Sequence, residues 1–399
     1  MSFPATLPIS DEVLEIAQRL DAAGHEVWCV GGWIRDALLS EGGEAAGLTP
    51  SDVDFATSAT PDQVQALFRR TVAVGVKHGT VGVLDRRRAL HEITTFRRDV
   101  TTDGRHAVVA FGVSLEDDLA RRDFTINAIA YHPLRHEWRD PFGGAADLAG
   151  RMIRAVGDAS QRFREDYLRI LRALRFAARF GFEIDPATWA AARAAAPGLA
   201  GLSAERVRDE WFKGLRTARS VGRLVGLWLD VGAAAEWLPR LSAPQTTAEV
   251  DRMPRDPVLL TAVLLPDASG VLRRLRASNI EIGRAEAMMR GPGAPEPPSA
   301  EGIRRWRSRV GDAADDLIAL WRLRHGVDPD WAREVAASRA RRDPVTRAEL
   351  ALNGDDLAAL GVARGPLLGE MLDRLLDRVL ADPRLNTKDQ LTALVRTLR

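Results

Sequence analysis

Near residue 145 the spacing of apolar residues changes, and that change limits the folds open to the chain. Upstream, the runs HEVWCVGG (25–32), TVAVGVKHGTVGVL (71–84) and ALHEITTFR (89–97) are short, β-branched and apolar. They alternate with the helical patterns WIRDALLS (33–40) and TPDQVQALFRR (60–70), the latter opened by Thr60 with Pro61 at its first position. Downstream, EDYLRILRALRFAARF (165–180), AERVRDEWFKGLRTA (204–218), GLWLDVGAAAEWL (226–238) and GEMLDRLLDRVLAD (369–382) keep a three- and four-residue period. The fold class is therefore α+β: a head of strands and helices, followed by an all-α remainder. Within the head, 98–113 reads as a turn-rich mobile loop, and Ser114 with Asp117 predicts a capping box. GPGAPEPPSAEG (291–302) reads as a loop between helical parts.

Composition removes several classes. With 399 residues the chain has room for two to four domains. Its one cysteine, Cys29, rules out intrachain disulfides and a cysteine zinc site, and fits a reducing cytoplasm. The N-terminal stretch lacks the charge and apolar run of a signal peptide, and no apolar stretch approaches the roughly 20 residues that span a membrane. The expectation is a cytoplasmic protein with no membrane partner; oligomeric state is not legible. Residues 201–399 carry 32 basic and 28 acidic side chains, against 24 and 27 in residues 1–200. The sign suits a polyanion at the C-terminal half, but a solvated helical surface accounts for it as well.

The chemistry is concentrated in SDVDFAT (51–57). On a strand, Asp52 and Asp54 share a face, and two neighbouring carboxylates repel unless a cation separates them. Magnesium suits such an oxygen site when substrate phosphates complete its shell. An ordinary turn or helix cap is the plainer alternative for the motif alone. Upstream, Gly31 and Gly32 end a strand and begin a helix, where backbone N–H groups can meet phosphate oxygens. Arg35, one turn on, has the reach for a bidentate phosphate contact. Glu92 is a candidate third carboxylate. Two ions between an attacking hydroxyl and a leaving pyrophosphate would form a clamp for in-line displacement.

The segments VGGWIRD, SDVDFAT, HGTVGV followed by EITTFR, RRDFTINAIAY and EDYLRILRALRFAARFGF occur in the order found in class II tRNA nucleotidyltransferases and their bacterial poly(A) polymerase relatives. SAERVRDEWFKGL (203–215) extends the resemblance, which returns in part near the C-terminus. It implies a polymerase β-like catalytic head with a mixed sheet at 1–145, and an all-α neck at 146–215, body at 216–300 and tail at 301–399. It also implies CTP and ATP as substrates, Mg2+ as cofactor, and tRNA held by its acceptor and T arms. Asp52 and Asp54 match the family's metal ligands, Gly32 and Arg35 its phosphate contacts, and Arg122 another nucleotide contact. Asp123 and Asn127 lie in the same motif and are expected at the ribose or triphosphate. Asp166, Arg169, Arg172 and Arg175 match the nucleotide-binding helix.

On a helix, Asp166 and Arg169 are three apart and share a face, where they form an amino-acid template for C and A. Both bases present an amino donor beside a ring-nitrogen acceptor, which a carboxylate and a guanidinium complement. Uracil and guanine leave buried groups unpaired, at about 1–3 kcal/mol each. The same pattern is also an ordinary surface ion pair, and Arg172, Arg175 and Arg179 equally suit a solvated cationic stripe. Poly(A) polymerase, partial CC- or A-adding enzymes, a non-catalytic RNA-binding protein and a small-molecule nucleotidyltransferase remain as alternatives. The arginine-rich segments 271–279 and 302–310 are candidate RNA contacts, and Trp306 in the second either stacks on a base or packs between helices.

Overall fold

The computed structural model describes residues 3–41, 53–76, 79–102, 107–243 and 247–398. The chain forms two compact units, Met1–Pro239 and Arg240–Arg399. The first unit opens with α1 (Asp11–Ala22), β1 (Val27–Val30), α2 (Gly32–Glu41), β2 (Asp54–Thr57) and α3 (Pro61–Leu67). Then follow β3 (Thr71–Gly75), β4 (Thr80–Leu84), β5 (Leu90–Thr95), β6 (Arg97–Thr102), β7 (Ala107–Phe111), α4 (Leu115–Ala120), β8 (Ala130–His132) and β9 (Glu137–Arg139). Among the described residues, seven strands make one sheet in the order β3-β4-β5-β2-β1-β8-β9. Within it β2 and β5 run parallel and the other pairs antiparallel.

Period-two alternation divides the sheet's side chains between two faces. Val27, Cys29, Phe55, Val81, Val83 and Ile93 pack with Val13, Ile16 and Leu20 of α1, Ile34 and Leu38 of α2 and Val64 of α3 in one core. The intervening residues Trp28, Val30 and Ala56 join Phe96, Leu119 and Ala130 in a second cluster on the other face. The helices start where the sequence says they should. Thr60 and Gln63 form a full capping box at α3, and Ser114 and Asp117 do so at α4, leaving few N-terminal N–H groups unsatisfied.

The segment at 98–113 corrects the sequence reading. Instead of an irregular loop, β6 and β7 form an antiparallel pair, registered from Arg97 opposite Phe111 to Thr102 opposite Ala107. The missed signal is the β-branched content of RDVTT and HAVVAF on either side of an Asp-Gly pair, which is a hairpin pattern.

The rest of this unit is helical apart from a short parallel pair, β10 (Met152–Ile153) with β11 (Glu183–Ile184). It holds α5 (Gly144–Ala149), α6 (Ala159–Glu165), α7 (Leu168–Phe180), α8 (Pro186–Ala195), α9 (Ala204–Thr217), α10 (Val221–Asp230) and α11 (Ala233–Trp237). One face of α7 buries Ala173, Phe176, Ala177 and Phe180 in the same core as Ile34 and Leu38, so α7 is fixed to the sheet's helical layer. That burial, at roughly 25 cal/mol per Å² of apolar surface, is what aims the α7 arginines.

The second unit consists of α12 (Thr247–Asp251), α13 (Pro257–Leu264), α14 (Ala268–Arg274), α15 (Asn279–Arg290), α16 (Ala300–Val310), α17 (Ala314–His325), α18 (Ala332–Ala340), α19 (Gly354–Ala359), α20 (Pro366–Ala381) and α21 (Lys388–Leu398). Leu357, Leu375, Val379, Leu391 and Val395 form a core of its own. The proline- and glycine-rich stretch separates α15 from α16, as expected. Trp306 is buried, donates Nε1–H to the Pro292 carbonyl at 2.9 Å and meets Trp331 edge-on, so it packs between helices and offers no stacking platform. Its neighbour Arg304 is also buried, donating to the Leu380 and Ala381 carbonyls. Among the described residues no helix is long and apolar enough to cross a membrane.

Candidate active site

The second face of the sheet carries a cavity of about 610 Å³. Every site residue expected from sequence lines it except Asp52, which lies outside the described residues: Gly31, Gly32, Arg35, Asp54, Glu92, Arg122, Asp123, Asn127, Asp166, Arg169, Arg172 and Arg175. These residues come from segments spread over more than 140 positions, so the fold has gathered them. The lining holds nine arginines and four carboxylates, in a chain whose formal net charge is +1. A cavity with such an excess of fixed positive charge suits a polyanion.

Three local features build its floor. Val30 of β1 stands opposite Asp54 of β2, so the carboxylate lies beside the β1–α2 turn. At that turn Gly31 has φ +79°, and a Cβ there would sit 3.3 Å from Asp54 Oδ2 and 3.4 Å from an Arg122 nitrogen. Glycine thus supplies both the left-handed backbone and the close approach. Across the parallel pair, Phe55 is in register with Ile93, which puts Asp54 and Glu92 level on neighbouring strands and on the face away from Phe55 and Ile93. Among the described residues no group of three His, Cys, Asp or Glu is arranged to hold a metal.

The walls are a hydrogen-bonded ionic network. Arg35 is buried, with its guanidinium on Asp36 at 2.7 Å and on Asn127 Oδ1 at 2.6 Å. Its charge also stands over the rings of Phe176 and Phe180, at 5.1 and 4.8 Å. Asn127 passes its amide to Asp123 at 2.9 Å, and Asp123 accepts Arg172 at 2.7 Å. Burial alone would raise the Asp123 carboxyl, but Arg172, Asn127 and the Phe124 N–H outweigh it and lower its pKa to about 2. Arg175 pairs with buried Glu210 at 2.6 Å, and Arg179 reaches Asp36 at 3.1 Å. The α7 arginines are therefore a paired, half-buried to buried wall, not a solvated stripe. Burial draws the pKa of Arg175 down, whereas the Asp123 carboxylate raises that of Arg172.

Asp166 and Arg169 are brought together by a different route from the one their spacing suggests. They do not share a helix face, because α6 ends at Glu165 and Asp166 is extended, at φ −156° and ψ 103°. Asp166 caps α7: its carboxylate accepts the Leu168 N–H at 3.0 Å and its carbonyl the Arg169 N–H at 3.1 Å. This is the side-chain acceptance that favours aspartate at helix starts. Arg206 of α9 donates to the other carboxylate oxygen at 2.7 Å. Arg169 donates to Glu165 at 3.1 Å and to the Arg121 carbonyl at 2.9 Å. Sequence reasoning missed Arg121 and Arg206 as members of the lining, although both lie in segments singled out above, RRDFTIN and SAERVRDEW. It also missed Thr80 and Thr94, although they too lie in segments quoted above, HGTVGV and EITTFR.

A family model described as the poly A polymerase head domain matches residues 27–154, and one described as a probable RNA and SrmB-binding site of polymerase A matches 181–243. The CCA-adding enzyme of Lacticaseibacillus paracasei is 34% identical over 397 residues, covering 96% of this chain and 94% of that one. That of Geobacillus stearothermophilus is 35% identical over 400 residues, covering 97% and 96%. Among solved structures, the Bacillus stearothermophilus CCA-adding enzyme in complex with CTP aligns with a TM-score of 0.72 at 33% identity, covering 97% of this chain and 96% of that chain. A likeness of this degree, running almost end to end in both partners, establishes that the chain belongs to the family of CCA-adding enzymes.

Proposed function

We propose that this cavity adds C, C and A in turn to the 3′ end of tRNA, using CTP and ATP without a nucleic-acid template and releasing pyrophosphate at each step. The observation that carries the reading is the convergence of twelve motif residues on one cationic cavity in a chain of this family. At each step the RNA 3′ oxygen bonds to the α-phosphorus, the bond to the bridging oxygen breaks, and pyrophosphate leaves with that electron pair. The hydroxyl proton passes to solvent, and no covalent enzyme intermediate forms.

Gly31, Gly32, Arg35 and Arg122 are assigned to the triphosphate, at the N-terminus of α2, where backbone N–H groups favour anions. Asp123, Asn127, Arg172 and Arg175 hold the wall against the nucleotide, pre-oriented by the network described above. Asp166 and Arg169 read the base. The carboxylate has about four lone-pair sites, so its cap and its contact with Arg206 leave room for an amino group. Asp52, Asp54 and Glu92 are assigned to magnesium: Asp54 and Glu92 offer hard oxygens, level on adjacent strands and facing the cavity. Bound there, a pair of magnesium ions would supply Lewis-acid stabilisation of the attacking and leaving oxygens. The reading divides the chain into a catalytic head at 1–145, a neck at 146–215, a body at 216–300 and a tail at 301–399 that binds the acceptor and T arms. It sets the protein in the cytoplasm.

The test is incubation with magnesium, all four nucleoside triphosphates and three tRNA transcripts, ending before CCA, after C and after CC. Sequencing of the 3′ ends should show all three completed to CCA. Arrest at CC would mark a partial enzyme, and a long A tail a poly(A) polymerase.

A further inference from the structure

In-line displacement requires the attacking oxygen and the leaving pyrophosphate to lie on opposite sides of the α-phosphorus. The strand order β4-β5-β2-β1 turns this requirement into a location. Asp54 sits on β2, and the proposed triphosphate site, at Gly31 and the start of α2, follows β1 on one side of it. The attacking 3′ end then has to enter from the other side, over β5 and β4. The side chains facing the cavity there are Glu92, Thr94 and Thr80. Thr80 and Thr94 are directly opposite each other across the antiparallel pair, and their hydroxyl oxygens are 3.0 Å apart.

We infer that the Thr80–Thr94 hydroxyl pair receives the 2′-OH of the terminal ribose of the RNA primer, and so selects a ribose 3′ end over a 2′-deoxy one. The inference rests on the proposed function of the cavity. In a hydroxyl pair one member donates to the other, which leaves one O–H and several lone pairs directed elsewhere. A 2′-OH is also donor and acceptor at once, and it is the group by which a protein distinguishes RNA from DNA. It adjoins the 3′ oxygen on the same ring, so a group that recognises it must stand beside the attack site, as Thr94 does two residues after Glu92 on the same strand face. Valine would give these strands the same β-branched shape, so the hydroxyls are not needed for the strands themselves.

The test compares kcat/KM for two primers, a tRNA transcript lacking CCA and the same transcript ending in a 2′-deoxynucleotide, in the full chain with magnesium and CTP. The wild type should favour the ribose end about tenfold, the scale of one or two hydrogen bonds. Thr80→Val, Thr94→Val and the double variant should lower that ratio toward one, while Thr94→Ser should keep it. A general structural defect would slow both primers alike and leave the ratio standing. A ratio unchanged in the double variant overturns the assignment, as does a wild type indifferent to the 2′-OH. A wild type that extends neither primer overturns the function on which the inference stands, and the inference with it.

Discussion

Asp54 is surrounded by features with no other evident purpose: a left-handed glycine, an arginine and a level carboxylate on the next strand. Asp54→Ala should therefore abolish incorporation of labelled CTP while leaving the circular dichroism spectrum and RNA retention near wild type; retained incorporation would remove it from the site. Arg169→Ala should reduce preference for CTP over UTP by about tenfold or more, since an unmatched buried base edge costs about 1–3 kcal/mol. Asp123 gives a pH signature. Its pKa of about 2 lies below the ordinary 3.8, so its contribution to stability is complete above pH 4 and is lost as pH falls through 2. The shift corresponds to roughly 2 kcal/mol. Urea midpoints between pH 5 and 2 should fall for the wild type and fall less steeply for Asp123→Asn.

At the scale of elements, helix starts and strand alternation were legible because they depend on neighbours in sequence. Thr60, Ser114 and the β-branched runs acted as their local chemistry dictates. The site residues were legible as motifs, but their partners were not. Arg206 meets Asp166 across 40 positions and Glu210 meets Arg175 across 35, and no local pattern encodes such pairings. The Asp166–Arg169 geometry misled because a three-residue spacing implies one helix face only if the helix is continuous, and here it breaks at the aspartate. The β6–β7 pair lies between the metal motif and the base-reading motif. If it adjusts the cavity to the growing 3′ end, removing residues 99–109 should spare C addition and impair A addition. Equal loss of both on gel assays would refute that role.

For the molecule as a whole, every described cavity residue belongs to the first unit, and the second has an apolar core of its own. A fragment ending at Pro239 should thus bind CTP with a Kd within about tenfold of the full chain, or 1.4 kcal/mol. Calorimetry on the two proteins checks this, and loss of CTP binding with an intact fold would refute it. Glu210 shows how far this unit's stability depends on the same network. Glu210→Ala leaves buried Arg175 without its ion-pair partner and should cost about 3–5 kcal/mol in chemical denaturation.

The break before α7 has a further consequence. A rigid caliper, with both jaws cut into one turn of helix, would have an opening fixed by the helical pitch. Here one jaw, Asp166, is on an extended residue anchored sideways to α9 by Arg206, and the other, Arg169, is carried by α7 and tied back to Glu165. On the proposed reading, the opening changes by a small rotation about Tyr167, which disturbs the two N–H bonds from Leu168 and Arg169 to Asp166 and leaves α6 as it is. If the pair reads the base as proposed, a gauge built this way closes on a single ring and widens for a fused pair, so that the same two side chains measure both a pyrimidine and a purine.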